Sequence, residues 1–286
     1  MQNQNLNFIF FGTPIVASRT LQILKEKGYI PKLIITSPDK PSGRGLLMHE
    51  TPVAIWAKEN NIKCLKPEKL TSEFIENLEE TELNIVVAYG KIMPEILIKK
   101  PELGTINIHY SLLPKYRGAS PLEACLLNGD EETGVSIQQM EYKLDSGAIL
   151  REEKIDIGIN DTKEELRETL INLGANVLAE ILPQIKNKEI VPTPQDESKA
   201  SFCKKINKED GEIDINGDAK ENWNKYRAYA GWPGTFFFIE KNGKKIRVKI
   251  KHASYLNNIF TINRVVPEGK KEISYTEFIT GLHNKK

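Results

Sequence analysis

Cysteine is scarce in this chain: three occur in 286 residues, Cys64, Cys125 and Cys203. They are widely spaced, form no C-x-x-C pair and have no histidine cluster beside them. That pattern excludes a disulfide framework and offers no tetrahedral zinc set, so no metal is expected and a reducing compartment fits. No stretch approaches the roughly 18 consecutive apolar residues of a membrane span. The opening MQNQNLNFIFFG has no basic segment ahead of its brief apolar run, and the expectation is a cytoplasmic protein without a membrane anchor. Two catalytic signatures are also missing. The first strand is not followed by G-x-G-x-x-G, which weakens a dinucleotide reading, and no G-x-S-x-G elbow supplies a serine nucleophile.

What is present is an ordinary globular composition, 40% hydrophobic and 28% charged. At this length it is enough for one large core or two unequal ones, and two domains are expected. The net charge of +1 conceals an imbalance. Residues 1–200 carry 23 Lys+Arg against 29 Asp+Glu, a balance of −6, and residues 201–286 carry 17 against 10, a balance of +7. A basic C-terminal part suits a polyanionic partner, with solvated surface charge as the plain alternative.

Short apolar runs alternate with helical patterns. Strands are expected at 6–11, 32–36, 63–65, 84–90 and 104–109, with helices over 14–28, 52–60 and 71–80 between them. Two more strands, in TGVSIQQM and AILREEKIDI, and a long helix over 162–186 complete a mostly parallel α/β domain covered on both faces. Proline and polar residues in EIVPTPQDESKAS then read as an extended linker. The chain accordingly divides into 1–188, a linker at 189–204, and a C-terminal domain at 205–286. In the last part a short helix over 218–229 precedes two strands around Asn242-Gly243, a strong hairpin signal. Ile246, Val248 and Ile250 alternate with Lys245, Arg247, Lys249 and Lys251, giving one apolar and one basic face. A small β barrel that binds nucleic acid and a merely protected sheet edge both fit that strand.

The stretch NIHYSLLPKYRGASP, Asn107 to Pro121, holds the densest polar chemistry. Asn107 and His109 are two apart at a strand end and project to one face, beyond the carboxyl end of the strand where open α/β sheets bind ligands. An amide and an imidazole aimed at one point can hold a developing oxyanion and pass a proton, which suits acyl transfer. Asp145, in a Ser-Gly turn, is either their carboxylate partner or an ordinary turn residue. Since no serine or cysteine nucleophile lies near, the attacking group has to arrive with the substrate.

FGTP, PSGRG, VVAYGKIMP, NIHYSLLPKYRGASP, TGVSIQQM, LDSG, TPQ and WPGTF occur in the order and spacing of the methionyl-tRNA formyltransferase family, which the chain resembles along nearly its whole length. The resemblance implies a Rossmann-like formyltransferase domain and an OB-like barrel that binds tRNA. It implies transfer of formyl from 10-formyltetrahydrofolate to the methionine amino group of initiator methionyl-tRNA, with tetrahydrofolate as product, by a monomer without metal. Carried over by position, Asn107, His109 and Asp145 are catalytic, Ser111, Leu112, Leu113 and Pro114 lie beside the folate, and Arg44, Lys245, Arg247 and Lys249 contact tRNA. Arg117 serves a substrate or braces its own loop. Departures are Lys143-Leu144-Asp145-Ser146-Gly147-Ala148 where the family commonly has Gly-Leu-Asp-x-Gly-Pro, Tyr110 in place of a small residue, and Ala230-Gly231 ahead of Trp-Pro-Gly. A sugar-nucleotide N-formyltransferase, a formyltetrahydrofolate hydrolase and a degenerate binding module are the alternatives. The PSGRG loop and the basic C-terminal part argue against the first two, and the intact trio argues against the third.

Overall fold

The computed structural model describes residues 6–42, 47–241 and 243–283. Arg44 and the turn residue Asn242 lie outside the described residues. The chain divides into two compact units, one of Met1–Arg117, Gly134–Ile155 and Glu168–Phe202, the other of Gly118–Thr133, Asp156–Arg167 and Cys203–Lys286.

The first unit is built on a seven-stranded sheet in the order Ile149–Asp156, Glu132–Gln139, Thr105–His109, Leu83–Val87, Phe8–Gly12, Leu33–Ile35, Cys64–Leu65. From Thr105–His109 to Cys64–Leu65 every neighbouring pair is parallel, whereas Glu132–Gln139 joins Thr105–His109 antiparallel. Phe8, Phe10, Phe11, Ile34, Ile35, Leu83 and Ile85 are fully buried, as strands covered on both faces require. Helix Ile15–Glu26 buries Ala17, Leu21 and Leu24 on one stripe, the i, i+4, i+7 spacing of an amphipathic helix.

Helix expectations held where the caps were clear. Thr51 accepts from the Ala54 N–H at 3.1 Å and Pro52 occupies the first turn of Pro52–Glu59. The helix expected over 71–80 is only Ser72–Glu76. The Asn77 side chain donates to the Glu73 carbonyl at 2.9 Å, and Glu79 and Glu80 just beyond would oppose the helix dipole. Helix Pro121–Asn128 and strand Ile259–Pro267 carried no sequence expectation.

In the second unit Phe236–Lys241, Lys244–Leu256, Ile259–Pro267 and Ile273–Ser274 form a four-stranded antiparallel sheet consistent with a small barrel domain. Its core gathers Ile213, Phe237, Val248, Ile250, Ile262, Val265 and Phe278, with helix Tyr275–His283 supplying the last of these. Among the described residues no helix is long and apolar enough to cross a membrane.

Candidate active site

The candidate site in the first unit starts from the register between strands Thr105–His109 and Glu132–Gln139. Asn107 stands opposite Gln138 and His109 opposite Ser136, and directly paired residues share a face of the sheet. Four polar side chains therefore line one face, while Ile106 and Ile108 are buried on the other. Gln138 and Ser136 were missed in the sequence, although the alternation in TGVSIQQM carries the signal: Val135 and Ile137 point one way, Ser136 and Gln138 the other.

His109 is only 5% exposed. Its Nε2 lies 3.0 Å from the Tyr116 carbonyl oxygen and its Nδ1 3.7 Å from Asp145 Oδ2. A carbonyl can only accept, so Nε2 carries the proton and Nδ1 presents its lone pair to the Asp145 side. Burial pushes the imidazole below its usual value; Asp145 and the Tyr116 carbonyl pull the other way without overcoming it. The ring is neutral at rest, and both of its contacts strengthen when it gains a proton. The carboxylate is held in turn, since Gln138 Nε2 donates to Asp145 Oδ1 at 3.1 Å. Gln138 Oε1 is buried and has no hydrogen-bond partner among the described residues.

The Asp145 turn has an unusual backbone. Asp145 sits at φ +45°, a left-handed conformation that costs a non-glycine residue free energy and needs surrounding support. A Cβ on Gly147 would lie 1.7 Å from the Gln139 carbonyl oxygen, so glycine is required there for close approach of two backbones.

The segment beside the proposed folate position is also tied down. Ser111 is buried and donates to the Lys115 carbonyl at 2.6 Å. Ser136 Oγ accepts from the Leu113 N–H at 3.0 Å and lies 2.7 Å from both the Ser111 carbonyl oxygen and Glu152 Oε1. The Pro114 carbonyl accepts from the Ser201 N–H at 3.2 Å. Leu113 is buried while Leu112 and Pro114 keep partial exposure. Burial raises the Cys64 and Cys125 thiols to about 11, so neither is a ready thiolate nucleophile.

In the second unit the basic strand divides its cations by environment. Lys245 and Lys249 are exposed and Arg247 is half-buried. The Arg247 guanidinium lies 3.5 Å from the ring centre of Phe236, and Lys245 Nζ 4.0 Å from that of Phe238. The sequence showed the alternation but not the aromatic partners, which come from the cross-strand register.

Two family profiles match the chain, formyl transferase over residues 5–182 and the formyl transferase C-terminal domain over residues 205–261. The methionyl-tRNA formyltransferase of Dictyoglomus thermophilum is 39% identical, with 96% of this chain and 97% of that protein covered. The enzyme of that name from Nitrosomonas eutropha is 40% identical, covering 88% of this chain and 79% of the relative. Among solved structures, a methionyl-tRNA formyltransferase from Clostridium thermocellum superposes with a TM-score of 0.59 at 19% identity, covering 94% of this chain and 99% of that one. An N-formyltransferase from Helicobacter canadensis, crystallised with folinic acid and dTDP-3-aminofucose, gives 0.64 at 19% identity, with 94% and 98% covered. At such identities the superpositions speak for the fold, and the sequence matches decide the family. Extending through both profiles and along nearly the full length of a relative such as the Dictyoglomus enzyme, they make this chain a member of the methionyl-tRNA formyltransferase family.

Proposed function

We propose that the chain transfers the formyl group of 10-formyltetrahydrofolate to the α-amino group of methionine on initiator methionyl-tRNA. The observation that carries the reading is the buried, neutral His109 set between the Tyr116 carbonyl and the Asp145 carboxylate, on the same sheet face as Asn107. An α-amino group has a pKa of about 7.7–8.0, lowered further when the adjacent carboxyl is esterified, so a neutral fraction is available near about pH 7. The amine attacks the formyl carbon and a new C–N bond forms. The Asn107 amide donates to the tetrahedral oxyanion. His109 Nδ1 takes the amine proton, the imidazolium is held between Asp145 and Tyr116, and the proton passes to the folate nitrogen as its C–N bond breaks. The 3.7 Å separation of Nδ1 from Asp145 is longer than a hydrogen bond, and such contacts tighten when substrates fill a site.

In this reading Ser111, Leu112, Leu113 and Pro114 flank the folate, whose product is tetrahydrofolate, and Arg44, Lys245, Arg247 and Lys249 engage tRNA. The reading needs no metal. Residues 1–188 act as the catalytic domain, 189–204 as linker and 205–286 as the tRNA-binding domain. The two profile matches support this division, while compact packing groups the linker up to Phe202 with the first unit and draws 118–133 and 156–167 together with the C-terminal residues. The enzyme acts as a cytoplasmic monomer, consistent with the trio arising within one chain. The test offers the protein 10-formyltetrahydrofolate with, separately, methionyl-initiator tRNA, an amino-sugar nucleotide and water. Formylation of the tRNA alone is expected. Formylation of the sugar, or release of formate to water, would overturn the assignment.

A further inference from the structure

Arg117 is fully buried, which for a guanidinium is costly unless it is compensated. Three of its side-chain hydrogen bonds run to the TPQ motif and the residues just after it. Nε and one terminal nitrogen donate to Gln195 Oε1 at 3.0 and 2.7 Å, and that nitrogen also donates to Glu197 Oε1 at 2.7 Å. Lys143 closes the outer side by donating to Glu197 Oε2 at 2.8 Å. Between them Arg117 and Lys143 hold the Glu197 carboxyl down to about 2.

The guanidinium fixes which way the Gln195 amide faces, because an oxygen that accepts twice from Arg117 leaves the NH2 group pointing away. That NH2 donates to the Asp145 carbonyl at 2.9 Å and the Gly147 carbonyl at 2.7 Å. Both of its hydrogens are used, and they grip the two carbonyls on either side of Ser146. Asp145 is the residue held at φ +45°, and its carboxylate is the one facing His109.

We propose that Arg117 and Gln195 are positioning residues for Asp145. The guanidinium orients the Gln195 amide, the amide locks the turn, and the turn aims the carboxylate at His109. Resting on the formyl-transfer reading above, this gives Arg117 a positioning role and the TPQ segment a part in catalysis. Misplacing a reacting group by about 1 Å can cost about 10²-fold, so the bracket acts on turnover rather than on binding.

The test is Gln195→Glu, which keeps an oxygen for Arg117 but replaces the donating NH2 with an oxygen facing two carbonyls. The comparison set is wild type, Asp145→Ala and the double variant, assayed with methionyl-tRNA and 10-formyltetrahydrofolate by steady-state and single-turnover kinetics across pH. The expected result is a kcat lower by about 10–10²-fold, unchanged KM for both substrates, a displaced pH profile, and no further loss when Gln195→Glu is added to Asp145→Ala. Should melting curves show that Gln195→Glu does not fold, Gln195→Met, which keeps the side-chain length without charge, is expected to give the same kcat loss. Wild-type turnover in a folded Gln195 variant, or an equal loss with and without the Asp145 carboxylate, would overturn the bracket. Inactive wild type on methionyl-tRNA, or fully active Asp145→Ala, would instead overturn the formyl-transfer reading on which it stands.

Discussion

His109 stands between a carbonyl and a carboxylate, an arrangement that favours its charged form only during the reaction, because burial keeps the resting ring neutral. His109→Ala and Asp145→Ala are each expected to lower turnover by roughly 10²–10⁴ in protein that still folds. Near wild-type turnover in either variant would remove that residue from the mechanism. Asn107→Ala is expected to lose roughly 10²–10³ in turnover if its amide serves the oxyanion; a purely structural asparagine would register as a lower melting temperature instead. The lowered His109 value also sets a sign for stability. Between the usual histidine value of about 6.5 and the lower folded value, the unfolded chain binds more protons than the native one, so stability rises with pH. His109 therefore contributes stability that is present above about pH 6.5 and is lost as pH falls through the folded value. Urea titrations of wild type and His109→Asn at a series of pH values check this: the variant should show a shallower decline just below about pH 6.5. An equal decline would assign the slope to other groups.

Among the elements, the Asp145 turn and the basic hairpin make the clearest demands. Gly147→Ala places a Cβ against the Gln139 carbonyl at 1.7 Å, so the turn has to open, and activity should fall about as far as in Asp145→Ala, on the order of 10²-fold or more. A fully active Gly147→Ala would show that the turn's shape is immaterial. In the hairpin, Arg247 covers Phe236, which is only 4% exposed. Arg247→Gln is expected to cost about 0.5–1 kcal/mol of stability because the cation no longer covers the ring, whereas Lys249→Gln should cost none. Equal melting temperatures for the two variants would contradict this division. Most strands and helices were legible because apolar period and capping chemistry are local: Thr51-Pro52 announces its helix as plainly as Asn242-Gly243 announces its hairpin. The helix Pro121–Asn128 was hidden behind the polar motif that precedes it, and Ser72–Glu76 ends early because acidic residues crowd its C-terminal end.

Across the whole molecule, the basic residues 201–286 should make tRNA binding strongly salt-dependent. Replacing Lys245, Arg247 and Lys249 with Gln is expected to weaken binding and flatten its log–log salt dependence by roughly 0.7–0.9 for each phosphate that is no longer neutralised. Discrimination between initiator and elongator tRNA should survive, since backbone contacts do not read bases. Titrations across several salt concentrations decide it, and an unchanged slope would leave the basic face as ordinary solvated surface. Arg44→Ala should impair use of tRNA while leaving 10-formyltetrahydrofolate binding intact, and equal damage to both would assign that loop to the folate site. By itself the sequence determined the α/β and β division, the strand carrying Asn107 and His109, the basic alternation and the family, since these rest on local period, turn chemistry and ordered motifs. Only the tertiary structure decided that Asp145 faces His109 rather than merely turning the chain, that Gln138 holds its carboxylate, and that Arg117 is spent on Gln195. Those contacts join positions 7 to 78 residues apart, and no local pattern encodes which of many polar side chains meet once the sheet register and the burial of a charge have fixed their places.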